Sequence, residues 1–179
     1  MLVVQSLSSL LKNMKEDTLL SSFKNFSTKK DEDISSFLQN LAIEYEKTDI
    51  ARTFIIFSDD YKGRVLGYFT IGLNVLKFDK YMNIEEAYDG INLYEQDYHP
   101  IYKLFMVGKD DNCPVNFSIK EEIFEREVID LIREAKEKVG TNLIYLDCVK
   151  ELLNYYESLG FERFSYNDQS KLYCMIRTI

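Results

Sequence analysis

The chain has 179 residues, and 30 acidic side chains outnumber 22 lysines and arginines, which gives a formal net charge of -8. Its length fits a single domain (1-179), and 46% apolar residues suffice for a globular core, which excludes a disordered tail protein. One histidine and three isolated cysteines leave almost no material for a metal site, a Ser/His/Asp triad or a fully paired disulfide framework. No stretch has signal-peptide or membrane-spanning character, so we expect a cytoplasmic protein without a membrane partner.

Apolar side chains at helical spacing predict the first two elements. The first fourteen residues predict an N-terminal amphipathic helix (within 1-20) that docks on the body through Leu7, Leu10, Leu11 and Met14. An arm that binds a partner or forms a homodimer is the alternative. Residues 31-47 predict a second helix, whose apolar stripe consists of Ile34, Phe37, Leu38, Leu41, Ala42 and Tyr45.

The pattern then changes to short β-branched and aromatic runs. Residues 53-57 and 64-76, separated by turn-forming residues, predict an antiparallel hairpin. Residues 101-107 and 143-149 predict two more strands, joined by a long helix with a capping box at Ser118 and a C-terminal Gly140. This strand-helix-strand order predicts a parallel crossover. A short helix at 150-159 and a last strand at 172-176 complete an α/β domain with a mixed sheet.

The segment DCVKELLNYYESLGFERF (147-164) resembles the C-terminal F-Y-E-x-x-G-F motif of GNAT-type N-acetyltransferases. The motif positions are occupied by Tyr155 (in place of the usual phenylalanine), Tyr156, Glu157, Gly160 and Phe161. Upstream, FKNFSTKKDEDISSFLQNLAIEYEKTDIARTFIIF and GYFTI are similar to the toxin-like GNAT branch of bacterial toxin-antitoxin modules. The resemblance implies a GNAT-like fold, with a mostly antiparallel sheet splayed between the fourth and fifth strands. It also implies transfer of an acetyl group from acetyl-CoA to a primary amine.

The same resemblance implies where acetyl-CoA binds and which residue is catalytic. The main chain of the fourth strand would bind the pantetheine, at Phe105, Met106 and Val107. Amides at the start of the next helix would bind the pyrophosphate. The residues expected to bind the pyrophosphate are Asn116, Phe117, Ser118, Ile119 and Lys120. Asn154 is expected to be a further contact of the cofactor. Tyr156 would protonate the departing thiolate as a general acid, although a tyrosine packed in the core is the alternative. No metal is expected.

The phosphate-binding loop departs from the family pattern [R/Q]-x-x-G-x-[G/A]. The sequence DDNCPVNFSIK contains no glycine after Gly108, and family glycines let the backbone approach phosphate closely. Asp110 and Asp111 would repel a phosphate if their side chains pointed inward. Three interpretations stay open: an altered loop that binds CoA, a different acyl-CoA or nucleotide-like ligand, or a catalytically inactive binding or regulatory module.

Candidates for the general base and the acceptor site precede the fourth strand. His99 is a candidate base because histidine titrates near neutral pH, although a structural histidine is the alternative. The acidic insertion 78-99 predicts attraction of a small cationic or lysine-like amine, with Glu95 and Asp97 as contacts. A solvated acidic loop is the alternative. The toxin-like relatives acetylate aminoacyl-tRNA, but only Lys24-Lys30 offers local positive charge, which disfavours that substrate and nucleic acid partners generally.

Overall fold

In the computed structural model, which describes residues 1-29, 31-61, 63-77 and 98-179, a mixed seven-stranded sheet is flanked by helices. The strands are β1 (Leu2–Ser6), β2 (Arg52–Ser58), β3 (Gly67–Lys77), β4 (Tyr98–Lys109), β5 (Leu143–Cys148), β6 (Glu162–Asn167) and β7 (Leu172–Thr178). The α-helices are α1 (Leu7–Asn13), α2 (Glu16–Phe23), α3 (Glu32–Asn40), α4 (Ala42–Lys47), α5 (Ile129–Val139) and α6 (Leu153–Glu157). A π-helical segment (Ile119–Val128) precedes α5, and a 3-10 turn (Lys150–Leu152) precedes α6. The predicted α/β class is confirmed.

The strand order β1-β2-β3-β4-β5-β7-β6 contains both predicted pairings. β2 and β3 are antiparallel, from Arg52 opposite Ile71 to Ile56 opposite Gly67. β4 and β5 are parallel, with Lys103 in register with Tyr145. The hairpin and the parallel crossover are therefore confirmed.

The chain divides into two compact units. The first contains Met1–Gly72 and Leu104–Asp130, and the second contains Leu73–Lys103 and Leu131–Ile179. Strands β3 and β4 pass from one unit into the other. The segment 78-97 lies outside the described residues.

The first unit is built around apolar side chains from α1 to α4 and from β2 and β3. The predicted helical stripes supply much of this core, since Leu7, Leu38 and Ala42 are fully buried. Tyr68 of β3 is also fully buried, and its hydroxyl donates a hydrogen bond to the Ile34 carbonyl at 2.6 Å. Burial raises the pKa of Tyr68, because the phenolate would lose its solvation.

The beginning of the chain differs from the predicted N-terminal helix. Leu2–Ser6 is a strand that pairs antiparallel with β2, and the helix begins only at Leu7. Val3 and Val4 are β-branched, which favours a strand over a helix. The Ser6 hydroxyl then caps α1 by accepting a hydrogen bond from the Ser9 amide.

Two other elements also depart from the sequence pattern. The helix predicted at 31-47 is interrupted at Leu41, which is 40% exposed although it belongs to the predicted stripe. Strand β6 was not predicted, because Glu162–Asn167 is largely polar and exposed and therefore lacks an apolar alternation. Pairing with β7 forms this strand in the absence of a strong local signal.

The second unit has an apolar cluster on one sheet face and the end of a helix on the other. Ile101, Leu143 and Ile176 form the cluster, with Tyr145 and Phe164 packed against it. On the opposite face, the Tyr102 hydroxyl donates to the carbonyl of Gly140, directly after α5, at 2.8 Å. None of the helices in the described ranges is long and apolar enough to cross a membrane.

Candidate active site

The first unit carries the candidate pyrophosphate loop, which ends where the π-helical segment begins. The Ser118 hydroxyl accepts a hydrogen bond from the Glu121 amide at 3.2 Å, as the capping box predicts. The reciprocal bond comes one residue later than expected, since the Glu122 carboxylate accepts from the Ser118 amide at 3.1 Å. A π-helix has more residues per turn than an α-helix, which explains the later partner. A pyrophosphate bound to the Ser118 amide would have to displace Glu122.

Asp110, one of the two aspartates expected to repel a phosphate, is turned into the protein, whereas Asp111 is exposed. The Asp110 side chain is fully buried, and Arg64 Nη2 donates to its Oδ2 at 2.9 Å. The amides of Ser27 and Asn112 donate to its Oδ1, each at 3.3 Å. Because Arg64 balances the charge and two amides occupy the second oxygen, this carboxylate does not oppose a phosphate in the loop.

The rest of the loop is held by hydrogen bonds between side chains and backbone. The Asp111 carboxylate accepts from the Lys29 amide, and the Asp111 amide donates to the Ser27 carbonyl at 3.0 Å. Lys109 Nζ donates to the Phe117 carbonyl at 2.8 Å and lies 4.3 Å from the centre of its ring. These bonds fix the loop conformation without the family's glycines.

The predicted pantetheine residues belong to the first-unit half of β4 and are half-buried. The Phe105 ring meets Tyr45 edge-on, with 6.3 Å between ring centres. Met106 packs against the core of the unit. Gly108 is required for packing, because a Cβ atom there would lie 2.5 Å from the Ile34 side chain.

Tyr156, the candidate general acid, is held by its neighbours in the second unit. It is 7% exposed, and its ring contacts Tyr155 and Phe161 edge-on at 5.2 and 5.8 Å between centres. Gly160 has φ +78°, a conformation that favours glycine, and the Phe161 amide donates to the Tyr156 carbonyl at 3.1 Å. The turn after α6 thus fixes the position of the tyrosine.

The other candidate residues on α6 have different surroundings. Arg163 Nε donates to Glu157 Oε1 at 2.6 Å. The buried Tyr155 hydroxyl has no hydrogen-bond partner among the described residues, and burial raises its pKa. Asn154 is exposed on α6, and its carbonyl accepts from the Ser158 amide at 3.1 Å.

The remaining predicted site residues lie before or at the start of β4. His99 is half-buried in β4 and belongs to the second unit, as Tyr156 and Asn154 do. Glu95 and Asp97, with most of the acidic insertion, lie outside the described residues. Within the described ranges, no group of three or more His, Cys, Asp or Glu side chains is arranged to hold a metal ion.

Sequence reasoning missed a hydrogen-bonded cluster in the second unit. Tyr145 donates its hydroxyl to Asp147 Oδ1 at 2.6 Å and lies 3.1 Å from Cys174 Sγ. Lys103 Nζ donates to Asp147 Oδ2 at 2.9 Å. Burial and the hydrogen bond to Asp147 both raise the pKa of Tyr145. An aspartate inside the apolar run LIYLDC was the available signal.

No protein-family model matches this chain, and no curated protein matches its sequence. Solved structures do match. A bacterial toxin superposes with a TM-score of 0.72 at 12% identity, covering 100% of this chain and 91% of the toxin. A KacT tyrosine-to-phenylalanine mutant gives 0.68 at 17% identity, covering 97% and 93%. AtaT complexed with acetyl-methionyl-tRNAfMet gives 0.66 at 15% identity, covering 97% and 94%. This chain has the fold of the GNAT toxins. The predicted GNAT-like fold is confirmed.

The sequence-based argument against nucleic acid partners is wrong. AtaT, with this fold, was solved with acetyl-methionyl-tRNAfMet, and the AtaT-AtaR complex was solved bound to DNA. AtaT was also solved with the antitoxin AtaR and acetyl-CoA. The prediction counted only basic residues that are adjacent in sequence, whereas a nucleic acid contacts a surface to which separate parts of the chain contribute.

Proposed function

We propose that this protein is an acetyl-CoA-dependent N-acetyltransferase whose acceptor is the amino group of an aminoacyl-tRNA. The observation that carries this proposal is the likeness, over 97% of the chain, to AtaT complexed with acetyl-methionyl-tRNAfMet. The fold supports an acyltransferase in general, and the acetylated tRNA bound to AtaT supports the choice of acceptor. An antitoxin protein is the corresponding proposed partner, by likeness to the AtaT-AtaR complexes.

The candidate cofactor residues support acetyl-CoA as the co-substrate. Arg64 balances the negative charge of Asp110, which removes one of the two electrostatic objections to a pyrophosphate in this loop, and the carboxylate of Asp111 accepts from the Lys29 amide. The amides that begin the π-helical segment, with Glu122 displaced from the Ser118 amide, and the ammonium group of Lys120 would bind the phosphates. The main chain of Phe105, Met106 and Val107 would bind the pantetheine.

Tyr156 is the proposed general acid. Bound acetyl-CoA supplies an activated thioester, and the acceptor amine attacks its carbonyl carbon while the carbon-sulfur bond breaks. The Tyr156 phenol would give its proton to the departing sulfur and recover one from solvent. Packing against Tyr155 and Phe161 restricts the ring to one orientation, which suits a proton donor that must meet one atom.

Local positive charge supports a tRNA acceptor despite the net charge of -8. Exposed lysines of the first unit lie on α1, at both ends of α2 and in the segment before α3, namely Lys12, Lys15, Lys24 and Lys29. Phosphate contacts to lysine supply most of the sequence-independent affinity for nucleic acid. We therefore place the proposed tRNA contact on the first unit.

The proposal is tested by acetyl-CoA calorimetry and by acetyl transfer to aminoacyl-tRNA, with deacylated tRNA as the blank. We expect Tyr156→Phe to lower turnover by about 10²-fold with little change in acetyl-CoA affinity, as for loss of a general acid. Tyr155→Phe is the matched control, because it removes a neighbouring hydroxyl without a described partner. This control should keep wild-type turnover.

Each other outcome removes a defined part of the proposal. Absence of acetyl-CoA binding at millimolar concentration would overturn the enzyme and leave a binding module. Acetylation of a polyamine or lysine, but not of aminoacyl-tRNA, would replace the acceptor with a small cationic amine. Unchanged turnover in Tyr156→Phe would remove this tyrosine from the mechanism.

A further inference from the structure

The proposed function requires the acceptor ammonium to lose a proton before it attacks, and it assigns no residue to that step. The cluster formed by Lys103, Tyr145, Asp147 and Cys174 contains a carboxylate that suits it. Residues 145 and 147 of β5 point to the same face of the sheet, since side chains alternate along a strand. Lys103 is in register with Tyr145, and Cys174 pairs with Asp147. All four side chains therefore share one face, with Asp147 hydrogen-bonded to both Lys103 and Tyr145.

This face is opposite to the end of α5. Tyr102 is in register with Ile144, and its hydroxyl bonds to the Gly140 carbonyl at the end of that helix. Ile144 and Asp147 point to opposite faces of β5. The cluster is also partly open to solvent, because the side chains of Lys103 and Asp147 are 22% and 26% exposed.

The end of β5 that carries Asp147 also leads to the proposed proton donor. Cys148 is the last residue of the strand, and the chain continues through the 3-10 turn at Lys150–Leu152 directly into α6, which carries Tyr156. Burial is the main reason that the pKa of Cys148 is raised to about 11, which makes this thiol a poor nucleophile. Within the second unit, Asp147 and the start of the chain segment that leads to Tyr156 therefore lie at the same end of β5.

We propose that Asp147 is the base of the acetyl transfer, binding the ammonium group of the acceptor and removing its proton. This inference rests on the proposed function. Lys103 donates to Oδ2 of this carboxylate, and Tyr145 and the Cys174 thiol both donate to Oδ1. Each carboxylate oxygen has about two acceptor positions, so among the described contacts Oδ2 keeps one position for an N–H donor of the substrate.

The proton transfers balance over one cycle. The acceptor ammonium gives a proton to the Asp147 carboxylate, and the neutral amine attacks the thioester carbonyl. The carbon-sulfur bond breaks, the sulfur takes the Tyr156 proton, and the acetylated nitrogen loses its second proton to solvent. Asp147 then releases its proton to solvent and Tyr156 recovers one, so the net products are the acetylamide, CoA and one proton.

The pH dependence of kcat/KM for acetyl transfer to aminoacyl-tRNA tests this role. In the described part of the chain, the charged and titratable side chains that face Asp147 are Lys103, Tyr145 and Cys174. Asp147 is the one carboxylic acid among these four residues. We expect Asp147→Asn to lower kcat/KM by about 10²-fold and to abolish the decrease of rate on the acid side, as for loss of a general base. Acetyl-CoA affinity should stay at the wild-type value.

Asp168→Asn is the matched control, because it makes the same change at an exposed aspartate of the second unit. This control should leave both rate and pH profile unchanged. If Asp147→Asn fails to fold, Lys103→Met combined with Asp147→Leu removes both charges together, and it should fold and still lose activity.

The outcomes separate this inference from the proposed function. If Asp147→Asn has the rate and pH profile of an active wild-type protein, the role of Asp147 is overturned and the proposed function stands. A fully active Lys103→Met/Asp147→Leu protein would do the same. A wild-type protein that neither binds acetyl-CoA nor transfers acetyl groups would overturn both proposals.

Discussion

Asp110 is a negative charge in a loop proposed to bind pyrophosphate, and Arg64 determines its effect there. The carboxylate is fully buried and bonded to the Arg64 guanidinium and to two amides. Removing this charge should therefore weaken the loop instead of relieving a repulsion.

We expect Asp110→Asn to lower the free energy of unfolding by about 2 kcal/mol, as for loss of a hydrogen bond to a charged group. Its acetyl-CoA affinity should fall, which calorimetry measures. Asp111→Asn is the matched control, because this neighbouring side chain is exposed and should cost less than about 1 kcal/mol. Tighter acetyl-CoA binding by Asp110→Asn would show that Asp110 faces the phosphates.

Two helix ends in the second unit have the same backbone conformation and different neighbours. Gly140 follows α5 with φ +79°, and a Cβ atom there would meet nothing within 4 Å. Gly160 follows α6 with φ +78°, next to the turn that fixes Tyr156. An alanine at either position would have to adopt the left-handed conformation, at a cost of about 1 kcal/mol.

We therefore expect Gly140→Ala and Gly160→Ala to lose similar stability in denaturant titrations, while only Gly160→Ala loses turnover. The first variant is the control for the second, because it carries the same strain away from the motif. Equal turnover in both variants would mean that the turn after α6 does not position the proposed general acid, Tyr156.

At the scale of the whole molecule, the pH dependence of stability is the sum of contributions from many carboxylates. A carboxylate usually has a lowered pKa in the folded state and adds stability as the pH rises, whereas Glu46 has the opposite effect. This residue of α4 is 6% exposed, and it accepts from the Thr53 amide of β2 at 3.1 Å. Burial raises its pKa above the ordinary 4.5, although Thr53 and Arg52 partly counter that effect. The folded protein thus holds this proton at a pH where the unfolded chain has released it. Glu46 therefore reduces stability as pH rises from 4.5 through its raised pKa.

We expect the Tm of Glu46→Gln, relative to wild type, to rise as the pH increases from 4.5 through the raised pKa of Glu46, because glutamine has no proton to release. Arg52 keeps its bond to Asp49 in this variant. Glu44→Gln, at an exposed position of the same helix, is the control and should follow the wild type. A constant difference between Glu46→Gln and wild type would contradict the shifted titration.

The fold could largely be predicted because its main elements have strong local signals. Helix α5 and the hairpin β2-β3 follow from periodicity, capping and turn residues in the sequence. Strand β1 could not be predicted, since its pairing with β2 joins distant parts of the chain. Strand β6 could not be predicted because its largely polar, exposed residues carry no apolar alternation. The same limit applies to sites. Tyr156 lies in a local motif, whereas Arg64 beside Asp110 and Lys103 beside Asp147 are tertiary contacts that no local pattern contains.

The hydrogen bonds between Ser27–Lys29 and the loop that starts at Asp110 also imply an order of folding. Ser27 and Asp110 are separated by 83 residues in sequence. Contacts of such separation pay a large loop-closure entropy and form late, after local hairpins and helices. During synthesis the segment at Ser27 must wait for the chain to extend beyond residue 110. A nascent chain therefore lacks the complete loop that we propose to bind acetyl-CoA, which would delay the proposed acetyl transfer until most of the protein has left the ribosome.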